Sequence, residues 1–590
     1  MALAPHCKTI ELAKERDSYV SEIVKSMENN KPSHKRLFQL LPKYKRRRAM
    51  SYNVHKIPKS IRASVESDVI IANEAKQKNK PSGRKNTAFR PHGTEQAAHR
   101  NEKSRWLETH LWHAKRFFIE DMWGYKIPTA PTMKSTRSII KLTKEGSVIR
   151  DISYHCIISV RGEKSHLEAF IASMIKPDSY IESDLKTLFH VDIHHPMQFP
   201  CSPIGPVDMF WVSESQLWII THPLLKNEVV ESFSKSFEVE VIEGELNIFE
   251  IFGPKSTEMI RSVLQPTTDC SQNLMAVLKD LPDPSNVMPG FSIAYNAYDP
   301  RTITVTEHNE NTFVGKKDHD SPICDSVLFR DRSISFPNDD EFNRKRSKLL
   351  FPKAELPSGS IPVIIMNYHT YCQQGYGSKW LVFLPFGCGS TVFQKFVHMG
   401  SRPVGLEAHN LILHESNEFS FPQDRPDTNE GLQIWLKEKF SIIEENQKRP
   451  LAKRPRLNPF FEFPPGFYIS NEGENTFVRV NIEMVKRGTP SRFASILEPS
   501  KDDYARYQDV VELTGDRESI GIVSSGCNSL ISGSGKGLGY MKSFKFHVHL
   551  VELEKENGFS NTKRPKGSVL VLIRELESQF LHPAWVFLLP

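Results

Sequence analysis

RWLETHLWHAKRFF, residues 105–118, is the stretch on which the reading of this chain turns. The spacing predicts a helix from Ser104 to Trp123, with Ser104 as N-cap and Gly124 as stop. On such a helix Leu107, Leu111, Ala114 and Phe118 share one face and pack into protein. Trp112, Arg116, Ile119 and Trp123 form a second stripe, and Trp106, His110, His113 and Phe117 a third. An ordinary surface helix has one apolar stripe and a charged remainder. Here aromatic rings run almost all round with cations between them, so every face must meet something. Lysine and arginine neutralise phosphates, and aromatic and imidazole rings stack on unpaired bases, so RNA is the expected partner. The competing reading is a buried helix in which His110 and His113 are core histidines. A metal site at His110 and His113 is disfavoured, because the H-E-x-x-H pattern is missing and Glu108 precedes the first histidine.

Outward from this stretch, charge is segregated. Residues 31–150 hold 28 Lys/Arg against 9 Asp/Glu, a net +19, whereas residues 151–590 hold 45 against 56, a net −11. The whole-chain value of +7 over 590 residues hides that contrast. A basic segment on an acidic body is the pattern of a polyanion-binding arm on a scaffold. Lys43, Lys45, Arg46, Arg47, Arg48, Lys56 and Arg62 surround Tyr52, with no acid between Lys31 and Lys59. These are candidate phosphate contacts, as are Arg84, Lys85, Arg90, Arg100 and Arg105 further on. Trp106, His110, Trp112, His113, Lys115, Arg116 and Phe117 complete the candidate RNA-binding set. No catalytic or metal-ligating residue is assigned.

The eight cysteines form no C-x-x-C pair, which argues against zinc ribbons and for free thiols in a reducing compartment. No apolar run approaches the roughly 18 residues of a membrane span. Lys43–Arg48 (KYKRRR) and Lys448–Arg456 (KRPLAKRPR) read as nuclear-import signals or as solvated or RNA-facing charge.

The fold class expected is α+β and multidomain. An N-terminal helix (1–30) precedes a basic, extended RNA-binding arm and helix (31–150), in which Pro32, Pro42, Pro58, Pro81 and Pro91 interrupt periodicity. An α+β domain (151–306) follows, then a polar insertion or linker (307–360), a central domain (361–431), a linker (432–465) and a β-rich C-terminal module (466–590). In that module VLVLIRE (569–575) and AWVFLL (584–589) read as two strands.

Several of these stretches resemble a known family. RRRAMSYN (46–53), WLETHLWHAKRF (106–117) and WGY (123–125) resemble the N-terminal signature of the largest Pop-family protein subunit of ribonuclease P and RNase MRP. LWIITHP (217–223) and the block ending FPQDRPDTNEG (421–431) are similar to its central domain. SIGIVSSGCNSLISGSGKGLGYM (519–541) with VLVLIRE (569–575) is similar to its C-terminal module. One departure is plain: the aromatic run usual in the family appears here as Phe386-Gly-Cys-Gly-Ser-Thr-Val-Phe393. The resemblance implies a non-catalytic scaffold in the nucleus and nucleolus. Its partners are a structured catalytic RNA and other Pop/Rpp-type subunits, with precursor tRNA or rRNA met indirectly. No cofactor is expected on the protein, and Mg²⁺ is implied for the RNA. It also implies a body that resembles, distantly, the folate-binding fold of aminomethyltransferases, a hint about fold alone.

Two alternatives stand beside this: a basic RNA chaperone of ribosome assembly, and a folate-type RNA-modifying enzyme. Gly533–Gly539 (GSGKGLG) fits neither the P-loop nor the dinucleotide template and reads as a glycine-rich turn. His194-His195 reads as a surface turn. Replacing Lys43, Lys45, Arg46, Arg47 and Arg48 by alanine should flatten the slope of log affinity against log salt by roughly 0.7–0.9 per phosphate contact. An unchanged slope in a filter-binding titration would remove these residues from the RNA-binding set.

Overall fold

The computed structural model describes residues 9–29, 104–177, 187–267, 283–301, 326–329, 360–368, 376–464, 467–470, 476–486, 488–500, 517–555 and 567–589, with a few isolated positions between them. Two compact units are present, residues 1–92 and 93–590. In the first, Thr9–Asn29 is a helix, as its spacing predicts, and Ile10, Tyr19, Val20 and Met27 are exposed along it.

The second unit is α+β. Its first sheet has five antiparallel strands in the order Leu188–His194, Pro203–Ser213, Gln216–Thr221, Cys156–Arg161, Glu238–Ile242. Helices Lys164–Ala172 and Lys226–Ser234 supply Leu167, Ile171, Val229 and Phe233 to a core with one face of this sheet, through Ile158, Val160 and Ile219. The opposite face, carrying Ile157, Phe210, Trp218 and Ile220, packs on a second sheet through Ile248, Ile364, Leu381 and Phe383.

That second sheet has six strands: Ser292–Tyr298, Ser360–Tyr368, Lys379–Pro385, Leu246–Phe252, Val148–Asp151 and Arg402–Pro403. Its far face packs on helices Ser256–Val263 and Gly389–His398 through Ile260, Val392, Phe393 and Phe396. The layers are therefore helix, sheet, sheet, helix. Central strands are buried on both faces, which is why LNIFEIF and KWLVFLP are nearly continuously apolar instead of alternating. The sheet draws strands from sequence on both sides of residues 307–360, most of which lie outside the described residues.

The C-terminal module is β-rich, as expected. Thr476–Met484, Gly535–Lys542, Ser519–Asn528, Ser495–Leu497, Ser568–Arg574 and Leu581–Leu588 pair in that order, and the last strand pairs back to the first. Closure leaves no free edge among the six and surrounds a core of Val480, Ile496, Val523, Val571 and Val586. VLVLIRE and AWVFLL are two adjacent antiparallel barrel strands.

Two expectations need correction. The helix predicted from Ser104 to Trp123 is a single turn, His110–His113, followed by a hairpin of Phe117–Met122 and Tyr125–Pro131. Trp123 and Gly124 both have positive φ, 55° and 82°, as a tight two-residue hairpin loop requires, so Gly124 turns a hairpin instead of ending a helix. The segment expected to link from residue 432 instead lies largely in a helix, Asn429–Lys448, whose first turn is capped by Thr428 accepting from the Gly431 amide at 3.2 Å.

A buried ion network joins these layers. Arg425, in the FPQDRPDTNEG loop, donates to Asp192 of the five-stranded sheet at 3.0 Å and in bidentate fashion to Asp427 at 2.9 and 3.0 Å. Arg479 of the barrel donates to the other Asp192 oxygen at 2.9 Å and to Asp427 at 3.2 Å. The Tyr540 hydroxyl, also from the barrel, lies 3.0 Å from Asp427. Burial alone would raise the Asp192 and Asp427 carboxyls, but the two guanidiniums hold both below the usual carboxylate range. Both carboxyls titrate below their unfolded value of about 3.9, so their contribution is intact above that pH and is lost as pH falls toward the folded values. Arg425→Ala leaves buried Asp427 and partly exposed Asp192 with Arg479 as their one remaining guanidinium and should cost about 3 kcal/mol. Denaturant unfolding at neutral pH checks this, and an unmoved midpoint would show that the network is not what ties the sheets together.

Candidate nucleic-acid interface

The Trp106–Phe117 segment is tied down residue by residue. Arg105–Trp106 pairs in parallel with Tyr125–Lys126, and the Leu107 side chain enters the core between the two large sheets. The Glu108 carboxylate accepts from the backbone amides of Gly387 and, at 2.8 Å, Gly389. Those amides open the helix Gly389–His398, where a carboxylate complements the positive end of the helix dipole. Burial raises the Glu108 carboxyl even though those amides pull it down. The Thr109 hydroxyl donates to buried Asp151, which also accepts from the Ser153 amide at 3.0 Å and its hydroxyl at 2.6 Å.

His113 is 1% exposed, with Nδ1 3.1 Å from the Thr109 carbonyl and its ring 5.0 Å from Phe393 and 5.3 Å from Phe117. Burial pushes it down to about 4, so it is neutral at pH 7. Trp112 packs edge-on to Phe393 at 5.3 Å, and Trp106 sits 4.0 Å from the His110 ring. The FGCGSTVF run that departs from the family pattern is thus the surface onto which this segment docks.

The candidate residues separate accordingly. His110, His113 and Phe117 are buried, which removes their rings from the solvent-facing set and corrects the expectation that His113 is open to stack on a base. Trp106 and Trp112 are half-buried, and Arg105, Lys115 and Arg116 are exposed. The faces are also reassigned: Leu111 and Phe118, expected inside, are 47% and 59% exposed, because chain direction changes after one helical turn. Arg62 is half-buried in a short helical stretch of the first unit. Lys43, Lys45, Arg46, Arg47, Arg48, Tyr52, Lys56, Arg84, Lys85, Arg90 and Arg100 lie outside the described residues.

What remains outward is a cationic and apolar face. The Arg116 guanidinium lies 4.3 Å over the Trp112 ring and donates to the Trp112 carbonyl at 2.9 Å. The Arg116 carbonyl accepts from the Thr132 amide at 2.9 Å, which sets residues 115–118 beside residues 131–134. Lys115, Arg116, Phe118, Met133, Lys134 and Arg137 are all exposed here. Arg105 is shared with Glu243 at 3.0 Å and Lys126 with Asp121 at 2.6 Å, so neither presents an unmatched charge. This surface can take phosphates through its cations and a base or ribose against Phe118 and Met133.

The sequence reading missed a second buried cluster. Glu250 is bonded by Arg150 at 3.1 Å and Lys379 at 2.6 Å, with His409 Nδ1 at 3.9 Å. Burial would raise Glu250, yet the Lys379 and Arg150 cations hold it below the usual range, while burial drives His409 toward its neutral form. Its signal was available as single charges inside apolar strands, VIRD and LNIFEIF. The cluster couples three neighbouring strands and the helix Leu406–Glu415. His194 ends a buried strand with its ring 5.0 Å from Phe199, so it is not in a surface turn. Gly533–Gly539 is the turn and start of a barrel hairpin, as the turn reading holds; a Cβ on Gly535 would meet the Gly488 carbonyl oxygen at 2.0 Å, so glycine here admits the chain's own backbone. Among the described residues, no group of three or more His, Cys, Asp or Glu could hold a metal ion, and no helix is long and apolar enough to cross a membrane.

Comparison with known proteins agrees with the motifs. The family described as Ribonucleases P/MRP protein subunit POP1, N-terminal, matches residues 12–90 and 66–163, and the POPLD (NUC188) domain matches residues 379–469. Ribonucleases P/MRP protein subunit POP1 of Homo sapiens is 23% identical over 75% of this chain and 57% of the relative. The Arabidopsis thaliana protein of the same name is 22% identical over 59% of this chain and 54% of its own length. In Schizosaccharomyces pombe, Ribonucleases P/MRP protein subunit pop1 is 24% identical over 89% of this chain and 88% of the relative. The chain therefore spans little more than half the length of the human and plant relatives. Among solved structures, the glycine cleavage system aminomethyltransferase T from Bartonella henselae covers 82% of this chain and 97% of its own, with TM-score 0.43 and 14% identity. The resemblance to the Pop-family subunit of ribonuclease P and RNase MRP thus holds in both the N-terminal and central segments.

Inner and outer residues of the segment should respond differently. Phe117→Ala removes a buried ring and should cost about 3–5 kcal/mol of stability. Lys115→Gln with Arg116→Gln should stay within about 0.5 kcal/mol per site, because both side chains are exposed. Equal thermal midpoints for the two variants would overturn the division into docking and outward faces.

Proposed function

We propose that this chain is a non-catalytic RNA-binding scaffold subunit of a ribonucleoprotein of the ribonuclease P / RNase MRP kind, acting in the nucleus and nucleolus. One observation carries the reading. The segment that matches the family docks Glu108, Trp112 and His113 onto the helix Gly389–His398, and turns Lys115, Arg116 and Phe118 outward. A segment made only to fill a core would have no use for that cationic face.

On this reading the RNA subunit, with Mg²⁺, cleaves the 5′ leader of precursor tRNA, or processes ribosomal RNA precursor in the MRP form. The protein neutralises phosphates of the folded RNA and holds its helices in register. Other Pop/Rpp-type subunits dock on the acidic body. The role rests on a rigid, precharged surface, so no proton transfer or nucleophile on this chain enters it. Lys115 and Arg116 sit on a segment immobilised from beneath by Glu108, Thr109 and His113, so little ordering entropy is lost when RNA arrives.

Affinity purification of the tagged chain from nuclei, with sequencing of crosslinked RNA, tests this. The expected result is one or two structured RNAs, with crosslinks concentrated between Lys31 and Arg150. Diffuse recovery of many RNAs would favour the ribosome-assembly chaperone. Recovery of none would overturn the scaffold reading.

A further inference from the structure

A second cationic surface lies far along the chain, where the helix Asn429–Lys448 ends. Lys448–Arg456 carries Lys448, Arg449, Lys453, Arg454 and Arg456, all exposed, and no acid occurs between Asn446 and Phe461. The strap is a built structure. Arg454 folds back to donate to the Gln447 carbonyl and, at 3.3 Å, to the Arg449 carbonyl, which satisfies the open end of the helix. Asn446 donates to the Pro455 carbonyl at 3.3 Å, and Leu451–Lys453 forms a 3₁₀ turn. Beyond it, Asn458 donates through its amide nitrogen to the Glu575 and Ser578 carbonyls at 2.7 and 2.6 Å. Lys448 and Arg449 are each shared with one exposed carboxylate, Glu444 and Glu577. Among the described residues, Lys453 and Arg456 have no acidic neighbour at ion-pair distance.

We propose that this strap is a second RNA contact, in which Lys453 and Arg456, flanked by Lys448, take the sugar–phosphate backbone of a folded RNA. The inference rests on the scaffold reading above and adds a surface outside its N-terminal segment. Two features favour RNA over an import receptor. A receptor that reads a basic peptide in extended form would have to unmake the Arg454, Asn446 and Asn458 bonds, whereas a phosphate backbone meets the strap as it stands. Leu451, 82% exposed at the apex between cations, offers an apolar surface against a ribose or base face.

The test uses the full chain with bulk transfer RNA as probe, in salt titrations of wild type, Lys453→Gln/Arg456→Gln, and Lys115→Gln/Arg116→Gln. Loss of two phosphate contacts should flatten the log–log slope of the strap variant by roughly 1.4–1.8. Thermal midpoints should match wild type, since both replaced side chains are exposed and neither makes a hydrogen bond among the described residues. A charge-reversed Lys453→Glu/Arg456→Glu chain should bind more weakly still. If the strap variants keep the wild-type slope while the Lys115/Arg116 variant loses it, the strap proposal is overturned and the scaffold reading stands; loss of nuclear accumulation alone in the strap variants would then identify an import signal. If wild type itself shows no salt-dependent binding, both fail together.

Discussion

Arg425 lies between Asp192 and Asp427 with almost no water to share its charge, and Arg479 approaches the same two carboxylates from the barrel. Arg425 and Asp427 are removed from solvent and Asp192 and Arg479 largely so, which is tolerable only if each keeps its partners, because desolvation costs several kcal/mol per buried ion. The five-stranded sheet, the FPQDRPDTNEG loop and the barrel must therefore arrive together. Apolar packing is permissive about angle and register to within a side chain. A bidentate guanidinium–carboxylate pair is not, so this network sets how the layers meet.

The same logic recurs at the N-terminal segment with a backbone partner. Glu108 places its charge on the amides of Gly387 and Gly389, which carry no intrahelical bond of their own. A Cβ on Gly389 would lie 2.5 Å from Asn247, so the close approach depends on glycine there. The pairing of WLETH with FGCG explains how a segment can lack a larger aromatic run opposite it and still dock: the contact is a carboxylate on a helix end, flanked by Trp112 and His113 against Phe393.

Much of this was legible from sequence. Continuous apolar runs announced doubly buried strands, VLVLIRE and AWVFLL announced a strand pair, and GSGKGLG read as a turn. The two unusual motifs RRRAMSYN and WLETHLWHAKRF pointed to the family whose models match residues 12–90, 66–163 and 379–469. What failed has a physical cause. RWLETHLWHAKRFF satisfies helical periodicity, but Trp123-Gly124 favours a tight hairpin turn and Phe117-Phe118-Ile119 favours a strand, so tertiary pairing overrode the 3.6-residue pattern. The mutual positions of Asp192, Arg425 and Arg479, far apart in sequence, were beyond single-sequence reasoning. Arg150 and Glu250 were visible as lone charges in apolar strands, yet nothing local named their partners.

Val148–Asp151 leaves the basic region and enters the six-stranded sheet beside Leu246–Phe252, while Asp151 receives Thr109 from the docking segment. The surface that faces outward is therefore cut from the same cloth as the core and has no folding transition of its own. The fraction of molecules able to present Lys115 and Arg116 in register equals the fraction whose sheets are formed. A substitution deep among the strands, touching none of these exposed side chains, would lower the apparent affinity of any ligand this surface takes by depleting the competent population, and its effect would be indistinguishable at equilibrium from a lost contact until stability is measured beside it.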